Sequence, residues 1–165
     1  MAAERLTVSH AFHSALMDPI LDEFERAAAA AQPAAANLAF VSNLTGKLAR
    51  KEFADPQYWR RHLREPVLFA AGAASLYEQG CRVFVEIGPR PVLCGMAQRA
   101  VAAKDATWLP SLRHGRDDWS QMLEALRQLY VRGAAIDWNG VNRDYVRYKR
   151  SLPTYPFERA RYWVP

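Results

Sequence analysis

The strongest constraint on the fold is a short apolar strand that leads directly into a loop and a helix. Residues 82–87 are rich in β-branched and aromatic side chains and lie between Gly80 and Gly88, and a helical segment starts from Pro91. This composition predicts a buried strand, which the following helix completes as a βα unit. Helical segments alternate with single short strands elsewhere in the chain. The pattern therefore predicts an α/β layered fold with a short parallel sheet flanked by helices.

Capping and breaking residues place the other elements. Asp18 can cap a helix whose first position is Pro19, and the proline at position 66 breaks the helix that Asp55 opens. The predicted elements are a helix from Asp18 to Gln32, a strand over residues 37–43 closed by a turn at 44–46, helices over 55–65, 67–79 and from Pro91, a strand over 107–112 and an amphipathic helix over 119–130. After Trp138 the periodicity fades.

Composition limits the class of protein. The 165 residues are 50% hydrophobic and 24% charged, which indicates one globular domain rather than disorder. No run of apolar residues is long enough for a membrane span, and the start of the chain does not resemble a secretory signal, so we expect a cytoplasmic protein and no membrane partner. Cys81 and Cys94 have neither a second pair nor zinc-finger spacing, and both are expected to be buried apolar residues.

The positive charge is concentrated at the end of the chain. Of a formal net charge of +5, residues 143–165 contribute six basic and two acidic side chains among several aromatic ones. Such a segment can bind single-stranded nucleic acid by stacking and phosphate contacts. A tail that packs on a protein surface through its aromatic residues explains the same composition, and we expect that role and no nucleic-acid partner.

Two histidines, His10 and His13, immediately precede the first predicted helix. A metal site would require further ligands, and no Asp, Glu or Cys cluster lies near them in sequence, so none is predicted. A histidine near a helix start is often structural. The positive end of a helix dipole also disfavours the imidazolium and keeps the ring neutral, as a general base requires. The residues alone leave these last two roles open.

Five segments resemble one family in the same order. Residues 10–14 (HAFHS) resemble the HAFH motif of acyltransferase domains in type I modular polyketide synthases, in the form associated with malonyl extender units. The other four segments are residues 40–46 (FVSNLTG), 58–67 (YWRRHLREPV), 84–93 (FVEIGPRPVL) and 152–163 (LPTYPFERARYW). The last segment is similar to the linker that follows the acyltransferase domain. The resemblance spans the whole chain.

The resemblance implies transfer of a malonyl unit from coenzyme A to the phosphopantetheine thiol of an acyl carrier protein, through a serine and a histidine. His13 matches the catalytic histidine of the family. The main-chain carbonyl near Glu65 matches the group that orients this histidine. His10, Ala11 and Phe12 match the wall of the extender-unit pocket, where the phenylalanine fills the space that a methyl branch needs. The family implies no bound cofactor and no metal.

The resemblance also implies that other parts of the domain are needed. None of the seven serines lies in a G-x-S-x-G elbow, so the nucleophile is expected outside this chain. We therefore expect residues 1–138 to be the C-terminal part of a hydrolase-like acyltransferase domain and residues 139–165 to be the irregular linker after it. The implied partners are the N-terminal part of that domain and the ketosynthase and acyl carrier protein domains of a multifunctional, fatty-acid-synthase-like enzyme of antibiotic or other secondary metabolite biosynthesis. The isolated chain is expected to be inactive. The alternative is a non-catalytic docking or linker fragment of such a megasynthase.

Overall fold

The computed structural model describes residues 10–164. Helices and short strands alternate along this part of the chain. A 3-10 helix, Ala15–Ile20, is followed by α1 (Leu21–Ala30), β1 (Phe40–Val41), β2 (Leu48–Ala49), a 3-10 turn at Glu52–Ala54, α2 (Pro56–Arg64), α3 (Phe69–Glu78), β3 (Val83–Glu86), α4 (Val92–Val101), β4 (Thr107–Pro110), α5 (Asp118–Val131) and α6 (Trp138–Asn142).

A parallel pair of strands joined through a helix confirms the predicted fold class. β3 and β4 pair from Val83 with Thr107 to Glu86 with Pro110, and α4 forms the connection between them. Phe84 and Trp108 are neighbours in this register, and their rings stack at 4.3 Å. Burial of two large aromatic faces against each other stabilises a pair of strands that has only four residues each.

A β-hairpin replaces the single strand expected over residues 37–43. β1 and β2 are antiparallel, with Phe40 opposite Ala49. The turn between them is closed because the Gly46 N–H donates to the Ser42 carbonyl at 2.7 Å, and the Ser42 hydroxyl accepts the Leu44 N–H at 3.1 Å. The turn was predicted, but the returning strand was missed because it has only two residues in a mostly polar stretch.

The hairpin packs on the start of α2. Leu44, Ala49, Phe53 and Tyr58 form a buried cluster. Ser42 is fully buried beneath it, and its hydroxyl lies 2.8 Å from that of Tyr58. Each buried hydroxyl therefore has a partner, which avoids the cost of an unsatisfied polar group.

The first helix begins four residues earlier than predicted, because Ser14 is its cap. The Ser14 hydroxyl accepts the Leu16 N–H, and the 3-10 helix starts at Ala15. Asp18 does not cap this helix; its carboxylate pairs with the guanidinium of Arg64 on α2. Asp18 is thus engaged by Arg64, and the Ser14 hydroxyl caps the helix at an earlier position.

The two cysteines differ, so one prediction was wrong. Cys94 is buried on α4, and burial, followed by its contact with Glu86, raises the pKa of its thiol to about 11. Cys81 is exposed instead. It follows Gly80, whose φ of +91° turns the chain outward between α3 and β3.

Apolar surface remains open beside the sheet. A cavity of about 250 Å³ lies between α3, α4 and β3. Val83 and Val85 on β3 and Ile87 just after it are exposed, Ile87 to 91%. Residues 146–164, after the short α6 that was not predicted, form neither helix nor strand and are exposed. Within residues 10–164, no helix has the length and apolarity that a membrane crossing requires.

We expect Gly46→Ala to destabilise the fold more than a glycine substitution normally does. Gly46 has φ of +68°, and an added Cβ would lie 2.6 Å from the Cβ of Ala71 on α3. The left-handed backbone costs an alanine about 1–2 kcal/mol, and the overlap adds about 1–3 kcal/mol. Urea unfolding measures the loss.

Gly115→Ala is the matched control, because Gly115 has φ of +77° but nothing within 4 Å of an added Cβ. Gly115→Ala should lower the free energy of unfolding only by the cost of the left-handed backbone, about 1–2 kcal/mol. Equal losses in the two variants would contradict the close contact between the turn and α3.

Candidate active site

The segment with the two histidines is fixed to the end of α2 by main-chain hydrogen bonds. The His13 N–H donates to the Leu63 carbonyl at 2.9 Å. The Ser14 hydroxyl donates to the Ala11 carbonyl at 2.7 Å, which closes the turn. His13 has φ of +61°, a left-handed conformation that a non-glycine residue adopts only when its surroundings impose it.

The imidazole of His13 is oriented by a main-chain carbonyl. Its Nδ1 lies 3.0 Å from the Glu65 oxygen, 52 positions along the chain. A carbonyl can only accept, so Nδ1 carries the proton and the neutral ring has its free lone pair on Nε2. The structure thus brings together the histidine and the carbonyl that the resemblance pairs.

Pro66 places the Glu65 carbonyl where His13 can reach it. A residue before proline is restricted to extended backbone, and Glu65 has ψ of 156° just after the last residue of α2. The Glu65 side chain is engaged elsewhere, with its carboxylate 2.7 Å from the Arg61 guanidinium. Only the main chain of Glu65 therefore orients His13.

Ion pairs between α1 and α2 hold the segment in place. The Arg60 guanidinium contacts the Asp22 carboxylate at 2.5 Å and that of Glu25 at 2.9 Å. Arg64 pairs with Asp18. Such partly exposed pairs contribute little individually, at most about 1 kcal/mol each. As a set they fix the helix that follows His13 against the helix that orients it.

His62 also contacts His13, and the sequence analysis did not identify it. The two rings are edge to face, with centroids 5.6 Å apart, and His62 stacks on Tyr58 at 6.0 Å. Burial lowers the pKa of His62, and the nearby His13 lowers it further. The only signal in the sequence was the position of His62, three residues before Glu65. That spacing is common in any helix and does not indicate a contact with His13.

The residues predicted to form the pocket wall lie next to His13. The rings of His10 and Phe12 pack at 5.6 Å, and Phe12 is 54% exposed. Ala11 is half-buried. None of these residues lines the apolar cavity between α3, α4 and β3.

No serine hydroxyl bonds to His13 in the described part of the chain. Ser42 bonds to Tyr58, Ser75 to the Gly46 carbonyl, and Ser111 to Gly88. These hydroxyls serve the fold. Between residues 10 and 164, no group of three or more His, Cys, Asp or Glu side chains could hold a metal ion.

We expect His62 to make the stability of the fold depend on pH. Its native pKa is below the ordinary value of about 6.5, so below that pH the unfolded chain binds a proton that the native chain excludes. The contribution of the neutral His62 ring to the free energy of unfolding is fully present above about pH 6.5 and is lost as the pH falls towards the native pKa. Urea unfolding at about pH 7.5 and pH 5 measures it.

His62→Asn should show a smaller loss of stability on acidification than the unsubstituted chain, and His114→Asn should retain the loss, because it leaves the His62 contribution in place. An unchanged loss in His62→Asn would show that another group is responsible.

Comparison with known proteins identifies the family. The model of the acyl transferase domain family matches residues 1–136. Polyketide synthase GfsA of Streptomyces halstedii is 38% identical over 164 residues, which are 98% of this chain and 2% of that synthase. The acyltransferase domain from the second module of the salinomycin polyketide synthase aligns with a TM-score of 0.76 and 39% identity over 92% of this chain and 36% of that structure.

A more distant structure, malonyl CoA-acyl carrier protein transacylase from Clostridium perfringens, aligns with a TM-score of 0.62 and 26% identity, covering 76% of this chain and 39% of that protein. The chain therefore spans about a third of the solved domains that it matches and a small part of the synthase. With the family match over most of its length, the chain belongs to the acyl transferase domain family of type I polyketide synthases.

Proposed function

We propose that this chain supplies the general base and part of the extender-unit pocket of an acyltransferase that moves malonyl from coenzyme A to the phosphopantetheine thiol of an acyl carrier protein. The observation that carries the proposal is the 3.0 Å hydrogen bond from His13 Nδ1 to the Glu65 carbonyl. It leaves Nε2 as a proton acceptor in an oriented, neutral ring. The relative from Clostridium perfringens, a malonyl CoA-acyl carrier protein transacylase, is named for the same transfer.

In each half of the reaction His13 accepts one proton and then releases it. In the first half, Nε2 takes the proton of a serine hydroxyl, the serine oxygen bonds to the malonyl carbonyl carbon, the carbon–sulfur bond breaks, and the proton passes to the coenzyme A sulfur. In the second half, Nε2 takes the proton of the carrier thiol, the sulfur bonds to the acyl carbon, the carbon–oxygen bond breaks, and the proton returns to the serine.

The nucleophilic serine and the oxyanion donors come from the N-terminal part of the same domain. The hydroxyls of Ser14, Ser42, Ser75 and Ser111 are engaged in the fold, and the chain spans 36% of a solved domain of the family. The reaction requires no bound cofactor, because coenzyme A and phosphopantetheine enter as substrates. We place the assembled enzyme in the cytoplasm, where it works with ketosynthase and acyl carrier protein domains in secondary metabolite biosynthesis.

The exposed end of the chain favours a second function, docking. Tyr155, Phe157, Tyr162 and Trp163 are all more than 70% exposed. Aromatic side chains in an extended, basic segment are suited to packing on a neighbouring domain. In this alternative the chain is a docking or linker fragment of the megasynthase.

His13→Ala in the complete domain should slow acyl transfer by roughly 10²- to 10⁴-fold, the usual contribution of a general base. His10→Ala should act mainly on the choice of extender unit. Stopped-flow measurement of coenzyme A release compares the two variants. Equal rate losses at both positions would contradict the assignment of His13 as the base.

Phe12→Ser in the complete domain should shift selection partly towards methylmalonyl-CoA. Phe12 lies one residue before His13 with its ring against His10, so its removal opens space beside the reacting acyl group. Space for one methyl group changes discrimination by only about 1–3 kcal/mol. Competition between the two thioesters measures the ratio, and an unchanged ratio would exclude Phe12 from the pocket wall.

The chain without the rest of the domain should form no malonyl ester. Transfer requires the elbow serine, and none of the seven serines has that sequence context. Intact mass spectrometry after incubation with malonyl-CoA detects an adduct. An added malonyl mass on this chain would place the nucleophile within it and overturn the division of roles.

A further inference from the structure

We propose that His62 is a positioning residue for His13, holding its imidazole in the orientation that leaves Nε2 free. The inference deepens the proposed function and rests on it for the role of His13 as base. The observation behind it is the edge-to-face contact of the two rings, 5.6 Å between centroids at 84°. His62 lies on the last turn of α2, between the hairpin cluster and the segment that carries His13.

Three neighbouring positions at the end of α2, two in its last turn and one just after it, hold His13 in three ways. The Leu63 carbonyl accepts its main-chain N–H, the Glu65 carbonyl accepts its Nδ1–H, and the His62 ring packs against its imidazole. The first bond fixes the backbone and the second fixes one edge of the ring. A single hydrogen bond still permits the ring to tilt or to rotate by half a turn, which places a carbon where Nδ1 was. The contact with His62 opposes that rotation.

His62 can do this because it is itself held firmly. Its ring stacks on Tyr58, one turn earlier on α2, at 6.0 Å and 26°. The Tyr58 hydroxyl is joined to the fully buried Ser42 at 2.8 Å, and its ring packs against Phe53 in the hairpin cluster. A continuous set of contacts therefore runs from the packed core through Tyr58 and His62 to His13. Rigid support of this kind is what a catalytic side chain needs to keep its geometry.

The contact is also the part of the arrangement that substitution can remove. Both hydrogen bonds to His13 are accepted by main-chain oxygens, which no side-chain change deletes. His62→Ala removes the ring contact. His62→Phe keeps an aromatic ring of similar width at the same place and should preserve it, and His114→Ala is the matched control at an exposed histidine.

Two measurements test the inference. The first uses the chain with ¹⁵N-labelled histidine, in which four histidines give four ring patterns, and His13 is assigned by its loss in His13→Ala. The two-bond proton–nitrogen correlations report which ring nitrogen carries the proton. We expect one Nδ1–H pattern in the unsubstituted chain, His62→Phe and His114→Ala. In His62→Ala we expect averaging of the Nδ1–H and Nε2–H tautomers, because a ring that turns away from the Glu65 carbonyl loses the acceptor that selects Nδ1–H.

The second measurement is acyl transfer by the complete domain. His62→Ala should lower kcat by roughly 10-fold with KM unchanged, because misorientation of a catalytic group slows the chemical step. His62→Phe should remain within about two-fold of the unsubstituted enzyme. If His62 had a purely structural role, His62→Ala would lower the stability of the domain without lowering kcat at constant KM. His62→Phe would then not restore the rate.

The outcomes separate the two proposals. A folded His62→Ala chain that keeps the single Nδ1–H pattern overturns the positioning role, whatever its rate. An averaged pattern with an unchanged transfer rate supports positioning and shows that His13 is not the base. If His62→Ala does not fold, His62→Asn provides the same test, since it removes the ring but keeps a polar side chain, and a single pattern in it overturns the inference.

Discussion

The arrangement around His13 depends on where α2 stops. Pro66 prevents the helix from continuing, so Glu65 is extended and its carbonyl points away from the helical ladder. That oxygen and the Leu63 carbonyl then accept the two hydrogen bonds that fix His13. The last carbonyls of a helix lack intrahelical partners, so binding a histidine satisfies them and also orients it. One proline therefore serves both the fold and the site.

The fold was predictable where its signals are local. The start of α2 at Asp55 and Pro56 and its end before Pro66 were predicted correctly, because capping and helix breaking depend on a few adjacent residues. The hairpin strand Leu48–Ala49 and the cap at Ser14 were not. The first is held by pairing and by burial of Ala49, and the predicted cap for the second, Asp18, is instead paired with Arg64, 46 residues away. Neither contact is visible in a local window.

The contact between His13 and the Glu65 carbonyl was predictable only through resemblance. Motif similarity indicated His13 and the carbonyl near Glu65, whereas spacing alone left base and structural roles open. His13 meets Glu65, 52 positions along the chain, and contacts His62 because α2 packs on the helix after His13. Side-chain contacts between distant segments require the packed structure. Cys81 illustrates the same limit, since the positive φ of Gly80 decides its exposure and residue type does not.

The use of main-chain acceptors has a consequence for how the segment can change during evolution. Any residue at position 65 brings the same carbonyl oxygen, so the partly exposed side chain there can change without disturbing the orientation of the histidine, whereas the side chain of Leu63 is buried and held by packing. The sensitive position is the proline at 66, which acts on His13 only through the backbone of residue 65. A substitution there would let the carbonyl of residue 65 return to the helix direction. Mutational tolerance around this site should therefore follow backbone geometry rather than proximity to the reaction, with the least tolerated change at a residue that has no chemical role.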